Sequence, residues 1–275
     1  MLFRSVPVPG VVGIDEKGDT LGVTGYVMNR VVGTVPPPTY HRQGLFFDAS
    51  AADRSRMALE VMAAQAKLHA VDCRKPALDF LLVRGKGATA LERDLDWTWA
   101  SLCWGCPGEV EQLESVRRWF LEHQPRESTL CLCHGDAMLA NYMFRDNRVV
   151  AILDGELAFL GNPANDVAYQ VLTHDFLALG GEPLAGFPTE QERRAEYERV
   201  SGRSLADWEF YCAYTDGDGG QRERGLVILT ARCRRICCRT RHRPFLRYIR
   251  RRYCRKNWDT RHREWPCYLS QRSLT

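Results

Sequence analysis

The sequence predicts an α+β fold in which helices outweigh strands. Short runs rich in β-branched and other apolar residues lie near the start of the chain and again around residues 129–153, and turn residues join them into predicted hairpins. Longer segments with apolar residues every three or four positions lie between and after these runs and predict amphipathic helices. At 275 residues and 45% hydrophobic content, the chain can bury one large domain or two lobes.

A β-hairpin is predicted at the start. The prolines of Val6–Pro9 favour extended backbone, and Gly10–Ile14 then has the composition of a strand. Glu16–Asp19 has the residues of a turn, and Thr24–Met28 is the returning strand. A loop at Gly33–Pro38 is expected to follow the hairpin.

Two helices are predicted before the segment Cys131–Glu156, which we call the central motif. Residues 53–71 carry an apolar stripe, and Glu109–Glu122 carries a second one. His69, at the end of the first helix, is expected to be structural. The stripe of the first helix consists of Met57, Val61, Ala64, Leu68 and Val71.

The segment between these helices, residues 73–108, is expected to be irregular. It contains Trp97, Trp99 and Trp104, which either pack this connection onto the core or form a wall facing a substrate. Cys103 and Cys106 match the C-x-x-C pattern of metal and redox sites. Because no second knuckle accompanies them, buried reduced thiols are the simpler interpretation.

Three further helices are predicted after the central motif. The first covers about residues 164–179, after the turn at Gly161–Pro163. Thr189 and Glu192 have the spacing of a capping box, for a helix that ends at Gly202. The third begins near Ser204–Asp207. These helices either pack as ordinary core helices or also line a pocket.

The segment from Cys131 to Glu156 carries the chemistry. A β-rich run leads into His134-Gly135-Asp136, Asn141 follows five positions later, and a second apolar run ends at Asp154. Phosphoryl transfer needs a carboxylate that orients the attacking hydroxyl and accepts its proton, and oxygen ligands for Mg²⁺. Asp136 is therefore predicted as the catalytic base, with Asn141 and Asp154 as the metal ligands.

This motif, His-Gly-Asp-x4-Asn followed by an apolar run and Asp-x-Glu, resembles that of the aminoglycoside phosphotransferase and choline kinase-like family. The resemblance extends from about Val6 to about Tyr214, and it is greatest for the phosphotransferase domains related to those fused to acyl-CoA dehydrogenases. It implies a protein kinase-like fold, mostly a helical C-terminal lobe. Residues 1–35 would be the remnant of a β N-terminal lobe with the hinge, residues 36–221 the helical lobe, and residues 222–275 an atypical tail.

The resemblance also implies roles for further residues. Asn29, Val31 and Leu153 would contact the nucleotide, and Glu156 would assist at the metal or the acceptor. His134, placed with the catalytic residues, and Asp166 would brace the loop by hydrogen bonds. Related proteins usually carry an aromatic residue where this chain has Gly155, so packing under the loop is expected to be looser.

Neither a Gly-rich loop, nor a strand lysine, nor a helix glutamate precedes Val6, and Lys17 lies in a predicted turn. We therefore expect either an N-terminally truncated family member or an incomplete nucleotide clamp. No run of 18 apolar residues and no signal peptide is present, so a cytoplasmic location, no membrane contact and reduced thiols are expected.

The tail differs in charge from the rest of the chain. Residues 222–275 carry sixteen Arg and one Lys against three acidic residues, a net charge of +14, which leaves −10 on residues 1–221 because the whole chain carries +4. Such a tail can bind nucleic acid, but its five cysteines match no knuckle spacing, so nucleic acid is not an expected partner. The resembling family would continue here with apolar helices, so our hypothesis is that a reading-frame change near Asp216–Gly220 replaced the native C-terminus. Translation of the DNA in the other frames tests it: if no apolar helical sequence appears downstream, the frame change is excluded.

The sequence therefore predicts an ATP- and Mg²⁺-dependent phosphotransferase that acts on a small-molecule hydroxyl group. The alternative is an inactive truncated family member or a non-catalytic binding protein. The acceptor stays open among aminoglycosides, choline, sugars and hydroxy acids, and the subfamily resemblance favours a hydroxyacyl compound.

Overall fold

The computed structural model describes residues 6–81, 85–105, 110–125, 129–177 and 184–215. The predicted tail, residues 222–275, and Cys106 lie outside the described residues, as does the end of the predicted helix beyond residue 177. The described helices are α1 (Leu45–Asp48), α2 (Ala51–His69), α3 (Ala90–Gly105), α4 (Val110–Glu122), α5 (Pro163–Leu177), α6 (Glu190–Ser201) and α7 (Trp208–Thr215). The described strands are β1 (Val11–Asp15), β2 (Gly25–Met28), β3 (Cys131–Cys133), β4 (Tyr142–Arg145), β5 (Arg148–Ile152) and β6 (Phe159–Gly161).

The predicted helices flanking the central motif are confirmed. Helix α2 begins after Ser50, whose side-chain oxygen accepts a hydrogen bond from the backbone N–H of Asp53 at 3.1 Å. Helix α6 has the predicted capping box at Thr189, and it ends at Gly202 in the left-handed conformation. All five residues of the predicted α2 stripe are buried.

The expectation that residues 73–108 are irregular is wrong. Helix α3 occupies Ala90–Gly105, with Leu91 and Leu95 buried on one face. Its start is fixed by a reciprocal pair of hydrogen bonds, from the Glu92 backbone N–H to the Thr89 hydroxyl at 3.0 Å and from the Thr89 backbone N–H to the Glu92 carboxylate at 3.1 Å. The spacing of Thr89 and Glu92 is a capping-box signal in the sequence itself.

The strands form three two-stranded antiparallel sheets in the described residues: β1 with β2, β3 with β6, and β4 with β5. The turn between β4 and β5 has Asp146 and Asn147 in left-handed conformations, with φ of 53° and 59°. Asp and Asn tolerate this region, and two such residues in succession give the tight turn that matches the twist of a hairpin.

Two residues of the N-terminal segment, Pro7 and Thr34, form backbone hydrogen bonds with the two edges of the β4–β5 hairpin. Thr34 and Phe144 exchange two backbone hydrogen bonds of 2.7 and 2.8 Å. On the other edge, the backbone N–H of Ile152 donates to the carbonyl oxygen of Pro7 at 2.6 Å. The segment predicted to contain the hinge therefore runs beside the hairpin that Asn141 precedes and Asp154 follows.

Helix α2 is the centre of the core. It packs against α6, β5, β3 and α5, and α5 packs in turn against α7. Burial of apolar side chains such as Met57 and Val61, each with no exposed surface, stabilises this arrangement by roughly 1.5–3 kcal/mol per side chain. Among the helices in the described ranges, none is both long and apolar enough to cross a lipid bilayer.

Candidate active site

Strand β3 lies in the core and leads directly into His134, Gly135 and Asp136. Its three residues, Cys131–Cys133, are buried and pair with β6. The chain then turns at Gly135, which has φ +80°. A Cβ atom at this position would lie 2.1 Å from the carbonyl oxygen of Leu157, so only glycine fits the turn.

The carboxylate of Asp166, in α5, accepts two hydrogen bonds from the backbone of this loop. Its Oδ2 accepts a hydrogen bond from the backbone N–H of His134 at 2.5 Å, and its Oδ1 accepts one from the backbone N–H of Gly135 at 2.9 Å. The Nε2 atom of His69 donates to Oδ2 as well, at 3.1 Å. Burial acts to raise the pKa of Asp166, but the hydrogen bond and charge of His69 outweigh it and keep that pKa below its usual value.

His134 links the two ends of the motif. Its Nε2 donates to the carbonyl oxygen of Leu153 at 2.8 Å, and its Nδ1 accepts from the backbone N–H of Asp136 at 3.2 Å. Both contacts are satisfied at once by a neutral ring that carries its proton on Nε2. The ring therefore fixes the loop relative to the end of β5.

Asp136 is almost completely buried, and both of its carboxylate oxygens are hydrogen-bonded. Oδ1 accepts from the hydroxyl of Tyr169 at 2.9 Å, and Oδ2 accepts from Nδ2 of Asn141 at 3.0 Å. Burial raises the pKa of Asp136, an effect that the hydrogen bonds from Tyr169 and Asn141 partly offset. The carboxylate is held in one orientation and is more basic than an exposed aspartate.

Asn141 lies directly before strand β4, and Asp154 lies two residues after the end of strand β5. The backbone N–H of Leu153 donates to the carbonyl oxygen of Asn141 at 2.8 Å, which places Asp154 one residue from this bond. Asp154 is exposed and has the left-handed conformation, with φ 60° and ψ 49°. Within the described part of the chain, no hydrogen bond engages the Asp154 carboxylate or Oδ1 of Asn141.

Glu156 and Gly155 follow in a short 3₁₀ turn, Gly155–Leu157, and both are exposed. A Cβ atom at Gly155 would meet nothing within 4 Å. The expectation of loose packing there agrees with this open space. Glu156 lies two residues beyond Asp154, on the solvent side of the loop.

The three residues predicted to bind nucleotide differ in what they can offer. Asn29 is exposed, but its backbone N–H donates to the carbonyl oxygen of Gly10 at 2.8 Å, so of its two backbone groups the carbonyl is the one left for a base. Both backbone groups of Leu153 are engaged within the loop, which leaves its half-buried side chain. Val31 is half-buried beside the hairpin.

Tyr169 is the residue of this site that sequence reasoning missed. It lies three positions after Asp166, so both side chains project from the same face of α5 toward the loop. The three-residue spacing of Asp166 and Tyr169 in a predicted helix was the signal in the sequence that could have identified Tyr169. His69 is fully buried and bonded to both Asp166 and Tyr197, in agreement with its predicted structural position.

The comparisons with known proteins agree with this geometry. A model of the phosphotransferase enzyme family, APH, matches residues 2–203. The chain belongs to this phosphotransferase family. The predicted family resemblance is thereby confirmed.

Among relatives of this chain, acyl-CoA dehydrogenase family member 10 of Mus musculus is 27% identical over 224 residues, which are 76% of this chain and 20% of that protein. The chain therefore spans about a fifth of that relative's length. A solved structure of a candidate aminoglycoside phosphotransferase from Ralstonia eutropha is 27% identical, with a TM-score of 0.66, and the match covers 90% of this chain and 75% of that one.

A second solved structure, the ternary complex of an aminoglycoside phosphotransferase with streptomycin and ATP, shares the fold at 17% identity with a TM-score of 0.50. That match covers 88% of this chain and 73% of that one. The predicted α+β, protein kinase-like fold is confirmed by these likenesses.

Proposed function

We propose that this phosphotransferase transfers the γ-phosphoryl group of ATP to a hydroxyl group of a small molecule. The observation that carries the proposal is the bonded set of Asp136, Asn141 and the Leu153–Asp154 junction. A buried, oriented carboxylate lies beside two candidate ligand groups, Oδ1 of Asn141 and the carboxylate of Asp154, neither of which is hydrogen-bonded in the part of the chain that the structure describes. Such a set is suited to phosphoryl transfer, in which positioning and charge stabilisation supply most of the catalysis.

The residues fit a bound Mg²⁺. Asn141 directs its Nδ2 to the Asp136 carboxylate and its main-chain oxygen, which leaves Oδ1 as an oxygen ligand. Asp154 adds an exposed carboxylate at the adjoining strand end. One neutral and one charged oxygen suit a hard cation that keeps other positions for phosphate oxygens and water. Bound there, Mg²⁺ would supply positive charge against the negative phosphates.

Asp136 would act as the base. The hydrogen bonds from Tyr169 and Asn141 fix the plane of its carboxylate, so that an incoming hydroxyl can be oriented within hydrogen-bond reach. Its raised pKa, caused by burial, suits acceptance of a proton as the hydroxyl attacks. His134 and Asp166 would keep this geometry by fixing the loop backbone.

The nucleotide would lie along the segment that contains Asn29 and Val31, against the β4–β5 hairpin. The pairing of Thr34 with Phe144 supports this position, because it holds that segment beside the hairpin. The streptomycin and ATP of the ternary complex described above support ATP as donor and a hydroxylated small molecule as acceptor. The relationship to acyl-CoA dehydrogenase family members favours a hydroxyacyl compound.

The test is transfer of labelled γ-phosphate from ATP to a panel of aminoglycosides, choline, ethanolamine, sugars, hydroxy acids and hydroxyacyl compounds, with water as the reference acceptor. Wild-type protein is expected to show transfer that requires Mg²⁺. Asp136→Asn is expected to lower it by about 10²–10⁴-fold, because general base catalysis contributes that much. Asp48→Asn, at an exposed position in α1, is the matched control and should leave the rate unchanged. Equal rates in wild type and Asp136→Asn would refute the assignment of the base.

A further inference from the structure

A second cluster of chemically reactive side chains lies behind the loop, on the buried side of β3. It consists of His69, Cys131 and Cys133, and one ligand atom from each lies within 4.8 Å of the others. All three residues are fully buried. Cys131 and Cys133 are two positions apart on a strand, so both thiols point to the same face of the sheet.

The spacing of the two sulfur atoms fits chelation of one ion. The Sγ atoms are 3.7 Å apart. Two thiolates bound to one zinc ion at about 2.3 Å with a tetrahedral angle would be about 3.8 Å apart. The observed separation is therefore close to that of a chelating pair, and far longer than the roughly 2.05 Å of a disulfide bond.

The environment of His69 also resembles that of a metal ligand. Its Nε2 donates to the buried carboxylate of Asp166 at 3.1 Å, and a carboxylate bonded to one ring nitrogen is the usual partner of a histidine whose other nitrogen binds a metal. The other nitrogen, Nδ1, lies 2.8 Å from the hydroxyl of Tyr197. That hydroxyl would have to turn aside for an ion to bind at Nδ1.

The thiols themselves have only weak partners to give up. Cys131 donates to the carbonyl oxygen of Gly161 at 3.4 Å, and Cys133 to that of Asn162 at 3.5 Å.

We propose that Cys131, Cys133 and His69 form a buried binding site for a thiophilic d¹⁰ metal ion, with Zn²⁺ as the first candidate. Two thiolates and one imidazole are ligands that select zinc or copper(I) over magnesium and calcium. Two thiolate charges balance the charge of Zn²⁺ in the low-dielectric core. Each thiol that binds gives its proton to the solvent, and a charged His69 ring also loses the proton on Nδ1, so Zn²⁺ binding releases up to three protons.

This site would be coupled to the catalytic loop. Asp166 shares Oδ2 between Nε2 of His69 and the backbone N–H of His134. An ion on His69 would hold its ring, and through Asp166 the turn at Gly135. The expected consequence is that the metal stabilises the fold and the loop without taking part in phosphoryl transfer.

The chain has 11 cysteines, so the test must separate this site from adventitious thiol binding. The probe is Cd²⁺ or Zn²⁺ alone, titrated into the full chain in reducing, metal-free buffer, with detection of the ultraviolet sulfur-to-cadmium charge-transfer absorption. The Cys131→Ser/Cys133→Ser double variant is compared with Cys212→Ser, whose thiol lies in α7, outside the cluster. Circular dichroism verifies that each variant is folded.

Wild type and Cys212→Ser are expected to bind one more tight equivalent than the double variant, with two or three protons released and a rise in the unfolding temperature that the double variant lacks. Copper(I) is tested in a parallel titration under anaerobic conditions, and tighter binding of copper(I) than of Zn²⁺ would identify it as the ion. Equal stoichiometry and equal thermal response in wild type and the folded double variant would overturn the site.

A second variant tests the ligand atom. Tyr197→Phe removes the hydroxyl that competes for Nδ1 of His69, so the extra equivalent is expected to bind more tightly in this variant than in wild type. Weaker binding by a folded Tyr197→Phe protein would contradict the assignment of Nδ1.

Discussion

The Oδ2 atom of Asp166 lies 2.5 Å from the backbone nitrogen of His134. This contact joins the first turn of α5 to the loop that carries Asp136, and Asp166 is almost fully buried where it does so. The loop is therefore positioned by a helix that follows it in the chain, as well as by the strand that leads into it.

Replacement of Asp166 by alanine is expected to destabilise the whole domain. It leaves the backbone N–H groups of His134 and Gly135 without their acceptor and leaves Nε2 of His69 without its partner in the core. Breaking a buried charged pair in this way costs about 3–5 kcal/mol of unfolding free energy. Urea denaturation measures it, with the exposed Asp48→Ala as control, expected within about 0.5 kcal/mol of wild type. If Asp166→Ala lowers the free energy of unfolding as little as the control does, the hydrogen bonds of Asp166 do not stabilise the domain.

The turn at Gly135 is expected to tolerate no side chain. Gly135 and Gly202 both have positive φ, of 80° and 66°. A Cβ atom at Gly202 meets nothing within 4 Å, whereas one at Gly135 would collide with the carbonyl oxygen of Leu157. Gly202→Ala therefore reports the backbone conformation alone, about 1–2 kcal/mol. Gly135→Ala should cost at least about 1 kcal/mol more, because steric overlap is added. Equal losses in a denaturation experiment would contradict the close approach of Leu157.

His174 predicts an acid-sensitive fold. Its ring is stacked on Phe187 at 3.6 Å, and its Nδ1 is hydrogen-bonded to the hydroxyl of Tyr40 at 2.6 Å. Burial, with the nearby charges of Arg193 and His41, lowers the pKa of His174 from 6.5 to about 3. Between pH 6.5 and about pH 3, this histidine is protonated in the unfolded chain and neutral in the folded chain. The free energy of unfolding therefore falls as the pH decreases through this range.

The slope from His174 is expected to reach at most about 1.4 kcal/mol per pH unit between pH 6.5 and 3. His174→Asn removes the titrating ring. The variant should be less stable than wild type at pH 7, yet lose less stability on acidification to about pH 5. Chemical denaturation at several pH values measures both slopes. Parallel curves for the two proteins would place the acid sensitivity on another group.

Local patterns in the sequence were sufficient to predict most elements. The α2 stripe, the Thr189 capping box and the N-terminal hairpin each depend on residues close together in the chain, and the structure confirms them. Helix α3 was missed although Thr89 and Glu92 mark its start, because its tryptophans were interpreted as contacts of an irregular connection.

The sequence was sufficient to nominate the residues of the candidate site, but it did not predict which side chains would contact one another. Asp136, Asn141 and Asp154 stand out because polar residues follow apolar strands. The hydrogen bond from Tyr169 to Asp136 and the cluster of His69 with Cys131 and Cys133 join segments far apart in the chain. Such contacts are set by the packing of α2 and α5 around β3, which no local spacing encodes.

The most direct test of the proposed site is Mg²⁺-dependent nucleotide binding to Asp154→Asn. Asp154 and Asp146 are both exposed and both left-handed, with φ of 60° and 53°, and asparagine tolerates that conformation. Asp146→Asn is therefore a matched control for charge and backbone. Calorimetric titration with ATP, with and without Mg²⁺, gives the affinity of each protein.

Wild type and Asp146→Asn are expected to bind ATP more tightly with Mg²⁺ than without it. Asp154→Asn should lose that gain, with at least about a tenfold weaker affinity in Mg²⁺, equivalent to about 1.4 kcal/mol. Undiminished Mg²⁺-dependent binding by Asp154→Asn would contradict the assignment of Asp154 as a metal ligand, and absence of nucleotide binding by the wild-type protein would contradict the proposed phosphotransferase function of this chain.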